Sequence, residues 1–229
     1  MAKPEFTVGQ IRPIECLKEA FALIKDEYWV LLTVSIVGGF IAAISLYVLI
    51  GAMVCGIFAT YLRKIDGSRV KFDDLFTGFG YFWKSLLVTI LIVIPLVVWM
   101  LVLFTTMYLP LVMSAFGGTE VGDQEMLTTF LIIFAIDVLV ALVMVCFHSL
   151  LIFCFPLIVD RGLSSWDSIK LSARATMKNL GGIGGMIGLN FLMALAGLFV
   201  FCVGIYLVIP LITASNLVAY RKVFPAGNG

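Results

Sequence analysis

Of the 229 residues, 62% are hydrophobic and only 13% charged, and the mean hydropathy is +1.14. This composition excludes a water-soluble globular domain. A net charge of +1 offers no electrostatic footprint for nucleic acid, and the chain is expected to be all-α: a polytopic integral membrane protein with about six transmembrane helices and amphipathic interfacial helices.

Residues 1–27 form an arm in which Ile14, Leu17, Phe21 and Ile24 fall at helical spacing, predicting a surface helix and not a targeting peptide. Charges and prolines open the arm, so no cleavable signal is expected before the first span. Residues 28–62 form one apolar run, ~50 Å long as a single helix against a ~30 Å hydrocarbon core. Cations flank both its ends, so it must turn back on itself, with Gly38-Gly39 and residues 45–51 as candidate bends.

Segment 63–84 carries Arg63, Lys64, Arg69, Lys71 and Lys84 and reads as interfacial. Spans 82–116 and 127–159 each cross once. Pro95 and Pro110 kink or shorten the first, and the second closes near Pro156. A second interfacial segment covers 160–179, and a hairpin over 180–222 reverses near Gly197 to Gly204. Residues 223–229 are a short tail. The single transmembrane domain therefore occupies 28–222.

No Lys or Arg lies between Lys84 and Arg161, or between Lys178 and Arg221. The positive-inside rule turns that gap into a topology with N and C termini in the cytoplasm, and it places the acidic 117–126 loop (Glu120, Asp123, Glu125) outside.

The interfacial segments share a design. Trp166-Asp167-Ser168-Ile169 leads to Lys178, and Phe72-Asp73-Asp74-Leu75 leads to Lys84 at the same spacing. Ile14-Glu15-Cys16-Leu17 is a fainter third copy. Each puts an acid in the first turn, and the two full copies end on a lysine, as the helix dipole favours. An apolar stripe then lies in the headgroup layer with the charges in water. Common duty as membrane-flanking helices accounts for the likeness, with internal duplication as the alternative. Phe72, Leu75, Phe76, Trp166 and Ile169 are the candidate interfacial contacts.

Three polar residues in the spans are candidates for an intramembrane path. Asp137 falls near mid-membrane, where an ionised carboxylate is costly unless neutral, paired or facing water. His148 lies eleven residues on, on nearly the same helical face but roughly 16 Å along the axis. Asn190 is the third, and helix-to-helix hydrogen bonding, with Asn216 among the partners, is the plainer alternative for each. Gly181, Gly182, Gly184, Gly185 and Gly188 give small-xxx-small spacings suited to close packing. The cysteines Cys16, Cys55, Cys146, Cys154 and Cys202 form no Cys-x-x-Cys pair and read as packing residues. No serine-hydrolase or zinc-protease motif is present, so no enzyme activity and no cofactor is expected.

The segment Pro156 to Asp160, Gly162-Leu163-Ser164, the helix from Ser165 to Ala173 and Lys178-Asn179, together with Tyr61 to Gly67 and Phe72 to Gly80, resembles loosely related bacterial membrane-protein families. These include the membrane region attached to some glycerophosphoryl diester phosphodiesterases, and small stand-alone relatives with no assigned activity. The resemblance implies a bacterial inner membrane. It brings no phosphodiesterase barrel and no catalytic or ligand residue. Two functions are expected: a non-catalytic scaffold, assembly or envelope-maintenance component whose partners are the bilayer and another membrane protein or a second copy, or a small permease with Asp137, His148 and Asn190 lining its path.

Overall fold

A computed structural model describes residues 6–45, 48–109, 112, 116, 123–200 and 204–226. Among these residues every regular element is helical: α1 (Pro13–Ile24), α2 (Tyr28–Ile44), α3 (Ile50–Ile65), a 3-10 segment (Phe72–Tyr81), α4 (Phe82–Leu103) running into a π turn (Phe104–Tyr108), α5 (Asp123–Leu150), α6 (Cys154–Arg161), α7 (Ser165–Lys178), α8 (Leu180–Phe199) and α9 (Gly204–Val223). Five helical stretches among the described residues are long and apolar enough to cross a membrane: Pro13–Ile44, Phe72–Tyr108, Leu127–Arg161, Leu180–Phe199 and Gly204–Val223. The sixth apolar helix, α3, has only 16 residues and ends on Arg63 and Lys64. Pro110, Glu120 and Cys202 lie outside the described residues, and of Asp123 and Glu125 only the helical backbone is described. The chain separates into two units, one of residues 1–89 and 150–229, the other of 90–149.

In the first unit α2 and α3 make the hairpin expected from the length of their apolar run. The turn falls after Ser45, which accepts from the Leu49 amide and donates to the Ala42 carbonyl; Gly38-Gly39 stays helical. Between the two helices, Ser35 and Tyr61 pair hydroxyl to hydroxyl at 2.8 Å, and Tyr61 also donates to the Leu31 carbonyl.

The segment after α3 departs from expectation. The spacing from Phe72 predicts an α-helix lying in the headgroup layer, but the chain takes a 3-10 path whose backbone presses directly on α3. Gly78 packs against the Ala52 carbonyl and Gly56, while Gly56 faces the Leu75 carbonyl. Glycine is required at both positions because two backbones meet with no room for a Cβ. Asp74 locks the start of the segment, accepting from the Lys71 amide at 3.0 Å and pairing with Arg63.

The apolar run expected to continue through Val159 is broken in the structure at 151–153. Proline 156 explains the break: it lacks an N–H for the Ile152 carbonyl, and its ring clashes there, so α5 stops and α6 starts afresh. Ser172 of α7 supplies what the ladder loses. Its hydroxyl donates to the Leu150 carbonyl at 2.7 Å and accepts from the Phe153 amide at 3.2 Å. Beyond α6, Gly162 takes φ +63°, the left-handed conformation that ends a helix cheaply only at glycine, and α7 folds back on α6.

Helix α1 docks along α9. Cys16, Ala20 and Ile24 form its buried face, while Ile14 and Phe21 of the expected stripe remain exposed, because small side chains allow the closer approach. The arm ahead of α1 lies on the glycine face of α8, where Gly182 meets Ile11 and Gly185 meets Pro13. Of the glycines expected to pack closely, Gly182 and Gly185 do so, while a Cβ at Gly181, Gly184 or Gly188 would meet nothing within 4 Å. Asn179 fastens the arm, accepting from the Gly9 amide at 2.8 Å and donating to the Thr7 carbonyl at 3.2 Å. Helix α8 ends at Phe199 and α9 starts at Gly204, bracketing the expected reversal, with Gly197 and Gly204 backbone to backbone.

The second unit holds the later part of α4, the π turn and α5 up to Ser149. Pro95 sits inside α4 without ending it. Only 6% of the most apolar window of Leu127–Arg161 is buried within the chain, so nearly all of its apolar surface must be covered by something else.

Candidate functional site

The three candidate path residues are placed differently. His148 of α5 sets Nδ1 2.8 Å from the Met144 carbonyl and Nε2 3.1 Å from the Ile92 carbonyl. Each ring nitrogen thus faces a main-chain carbonyl of its own unit. Asn190 belongs to the first unit and donates from Nδ2 to Asn216 Oδ1 at 2.8 Å, joining α8 to α9. Asp137 is buried, and its Oδ2 has no hydrogen-bond partner; the Trp99 indole nitrogen of the same unit is likewise buried and unpartnered. Asp137 and His148 share α5, about 16 Å apart along its axis.

The five candidate interfacial residues divide as well. Phe72 and Phe76 are partly exposed and pack edge to face, and Phe76 stacks on Phe79. Trp166 is 61% exposed, and Ile169 is half-buried. Leu75 is fully buried against α2 and α3 and has no surface to offer. Among the described residues no group of His, Cys, Asp and Glu could hold a metal ion.

A constellation not anticipated from the sequence lies at the basic end of the first unit. Arg221 of α9 reaches Asp66, just past α3, at 2.6 Å and Asp160 of α6 at 2.7 Å, and Tyr220 donates to the same Asp160 at 2.7 Å. Lys222 pairs with Glu19 of α1 at 2.9 Å and Lys64 with Glu27 at 3.5 Å. The Lys84 ammonium donates to the Gly162 carbonyl at 3.0 Å, and Ser165 donates to the Lys84 carbonyl. Beneath these charges Phe153, Tyr220 and Phe224 pack ring to ring, with Arg161 over Phe224. The basic segments thus meet as an ion-paired layer over an aromatic floor. Only the clustering of cations at span ends hinted at it.

Helix α7 opens with a reciprocal cap. Ser164 accepts from the Asp167 amide and donates to the Asp167 carboxylate at 2.7 Å, while Lys170 pairs with that carboxylate at 3.0 Å. The Ser164 hydrogen bond first, then Lys170, holds the Asp167 carboxyl below its ordinary value. A depressed folded-state value means that the carboxylate steadies the helix start above the unfolded pKa and stops doing so as pH falls through the folded one. A carboxyl carbon titration in micelles is therefore expected to place the Asp167 midpoint below that of an unstructured aspartate, with first-turn amides of α7 exchanging faster beneath it. A midpoint at the ordinary value, or unchanged exchange, would contradict the cap.

Around these groups runs a hollow of ~260 Å³ lined by Arg161, Leu163, Asp167, Lys170, Leu171 and Arg174. Comparisons of the chain with protein-family models, with curated proteins and with solved structures find no match.

Proposed function

We propose that this chain is a non-catalytic, multi-pass component of a cell membrane, a scaffold, assembly or envelope-maintenance protein, in the bacterial inner membrane that the family resemblance implies. Its partners are the bilayer and another membrane protein or a second copy of itself. The reading has six crossings, α2 and α3 forming a short hairpin, with both termini in the cytoplasm. The observation that carries it is where the polar groups are used. The Asn190 Nδ2 and both nitrogens of His148 lie against groups of the protein itself, and Arg221, Lys222 and Lys64 pair with acids of other segments in one layer at the basic end of the first unit. Such a layer joins the cytoplasmic ends of helices and leaves the apolar faces to lipid or a partner helix.

The threading is tested by cysteine labelling on a background lacking native cysteines. Asp123→Cys is expected to react only from outside and Arg174→Cys only from the cytoplasm; labelling of both from one side would sink the topology.

A conduit is the second reading, favoured by the buried, unpartnered Oδ2 of Asp137 and Oδ1 of Asn190. It is tested in proteoliposomes. Proton and solute flux through the native chain, Asp137→Asn and His148→Ala are expected to be alike and no higher than in empty vesicles. A flux lost in either variant would make the chain a permease.

A further inference from the structure

We propose that the outer face of α1 lies on an anionic lipid leaflet, with its two lysines against the headgroups and its apolar side chains below them. This rests on the membrane reading above and adds the class of lipid.

The fold decides which side of α1 faces out. Cys16, Ala20 and Ile24 are buried where α1 docks on α9. Ile14, Lys18, Phe21 and Lys25 fall within about 60° of one another around the helix, on the side turned away from that contact. Ile14 is 64% exposed and Phe21 56%, and both lysines are exposed. Lys25 caps α1 in helical conformation, so the outward stripe reads apolar, cation, apolar, cation. One turn further on, Trp29 of α2 is 71% exposed.

The ion pairs leave this stripe positive. Of the acids in α1 and the 3-10 turn Lys25–Glu27, Glu15 is held by Arg12, Glu19 by Lys222 and Glu27 by Lys64, while Asp26 stands in the turn beyond the helix. Lys18 and Lys25 pair with no acid among the described residues.

An anionic leaflet satisfies both halves of such a face. Lysine stems lie along apolar surface while the ammonium reaches the phosphates, and each cation near an anionic surface adds to the attraction. A second copy fits it poorly, because a twofold contact sets a surface against itself and would bring like charges together. The level is right as well. The Lys222–Glu19 and Lys64–Glu27 pairs tie α1 and its turn to the ion-paired layer, and Trp29 stands where an aromatic belt is expected.

The experiment uses the full chain with Ala22→Cys, exposed on the flank of the stripe, carrying an environment-sensitive fluorophore on the cysteine-free background of the labelling test. It is reconstituted in vesicles of phosphatidylcholine alone and of phosphatidylcholine mixed with phosphatidylglycerol. Phosphatidylglycerol is expected to shift the emission to the blue, raising the ratio of docked to undocked α1 about tenfold, and high salt to reverse the shift. Lys18→Gln/Lys25→Gln is expected to lose that tenfold, and Phe21→Ser to weaken docking in both lipids. Arg69→Gln/Lys178→Gln, which removes the same charge from exposed positions off α1, is expected to behave as the native chain does.

Equal emission in the two lipids overturns the proposal, as does an undiminished phosphatidylglycerol response in Lys18→Gln/Lys25→Gln. Equal loss in the Arg69→Gln/Lys178→Gln control would mean attraction to net charge and overturns it too. A blue shift in phosphatidylcholine alone that grows with protein density would make a second copy the occupant and overturn the lipid assignment. An unchanged melting temperature separates lost docking from lost folding. Both leaflets of these vesicles carry the same lipid, so a wrong topology leaves the result standing, and the cysteine labelling judges topology by itself.

Discussion

Valine in place of Gly78 is expected to abolish the folded protein, at a cost above ~3 kcal/mol, whereas alanine at nearby Gly80 should be neutral. A Cβ at Gly78 would overlap the Ala52 carbonyl and the Gly56 backbone, and one at Gly56 would overlap the Leu75 carbonyl; a Cβ at Gly80 meets nothing within 4 Å. The obstacle at Gly78 and Gly56 is main chain, which has no rotamer to escape into. Gly38→Ala is the intermediate case: its nearest atom is the far end of the Ile57 side chain at 2.9 Å, which can move. The order expected in thermal unfolding in micelles is therefore Gly80→Ala near native, Gly38→Ala mildly reduced, and Gly56→Val or Gly78→Val failing to accumulate. Native-like melting of Gly78→Val would show that the 3-10 segment lies free of α3.

The second large effect belongs to Arg221. Its side chain is 13% exposed and bridges Asp66 and Asp160, so one residue ties the ends of α3, α6 and α9. Arg221→Met is expected to destabilise by about 3 kcal/mol, because it strips Asp160, only 18% exposed, of its cation. Asp66→Asn should cost about 1 kcal/mol or less, since Asp66 is 40% exposed and Arg221 keeps Asp160. A double-mutant cycle between Arg221→Met and Asp160→Asn should show strong coupling. Additive losses would mean that the two side chains do not act together.

Both positions show where reading the residues in order stops. Gly56 and Gly78 look like any glycines in an apolar run, and nothing in 72–81 announces a 3-10 path. Asp66, Asp160 and Arg221 are each a charge beside a span, and their convergence depends on which helix ends meet. Ser172 reads as one more polar residue of an amphipathic helix until the break at Pro156 gives its hydroxyl two backbone groups to satisfy. Of the path residues, Asn190 took the alternative expected for it, a bond to Asn216 between two helices.

Composition, run lengths and the placement of cations and prolines were enough to establish an all-helical chain with several helices apolar enough to cross a membrane, and to place its reversals near 45–51 and 197–204. These depend on how each segment partitions between water and hydrocarbon, which neighbouring residues settle among themselves. Which face of each helix is buried was decided by packing. Lipid is as apolar as a neighbouring helix, so a membrane helix carries no polar stripe to mark its outer side, and small residues, close backbones and distant ion pairs choose the contact instead.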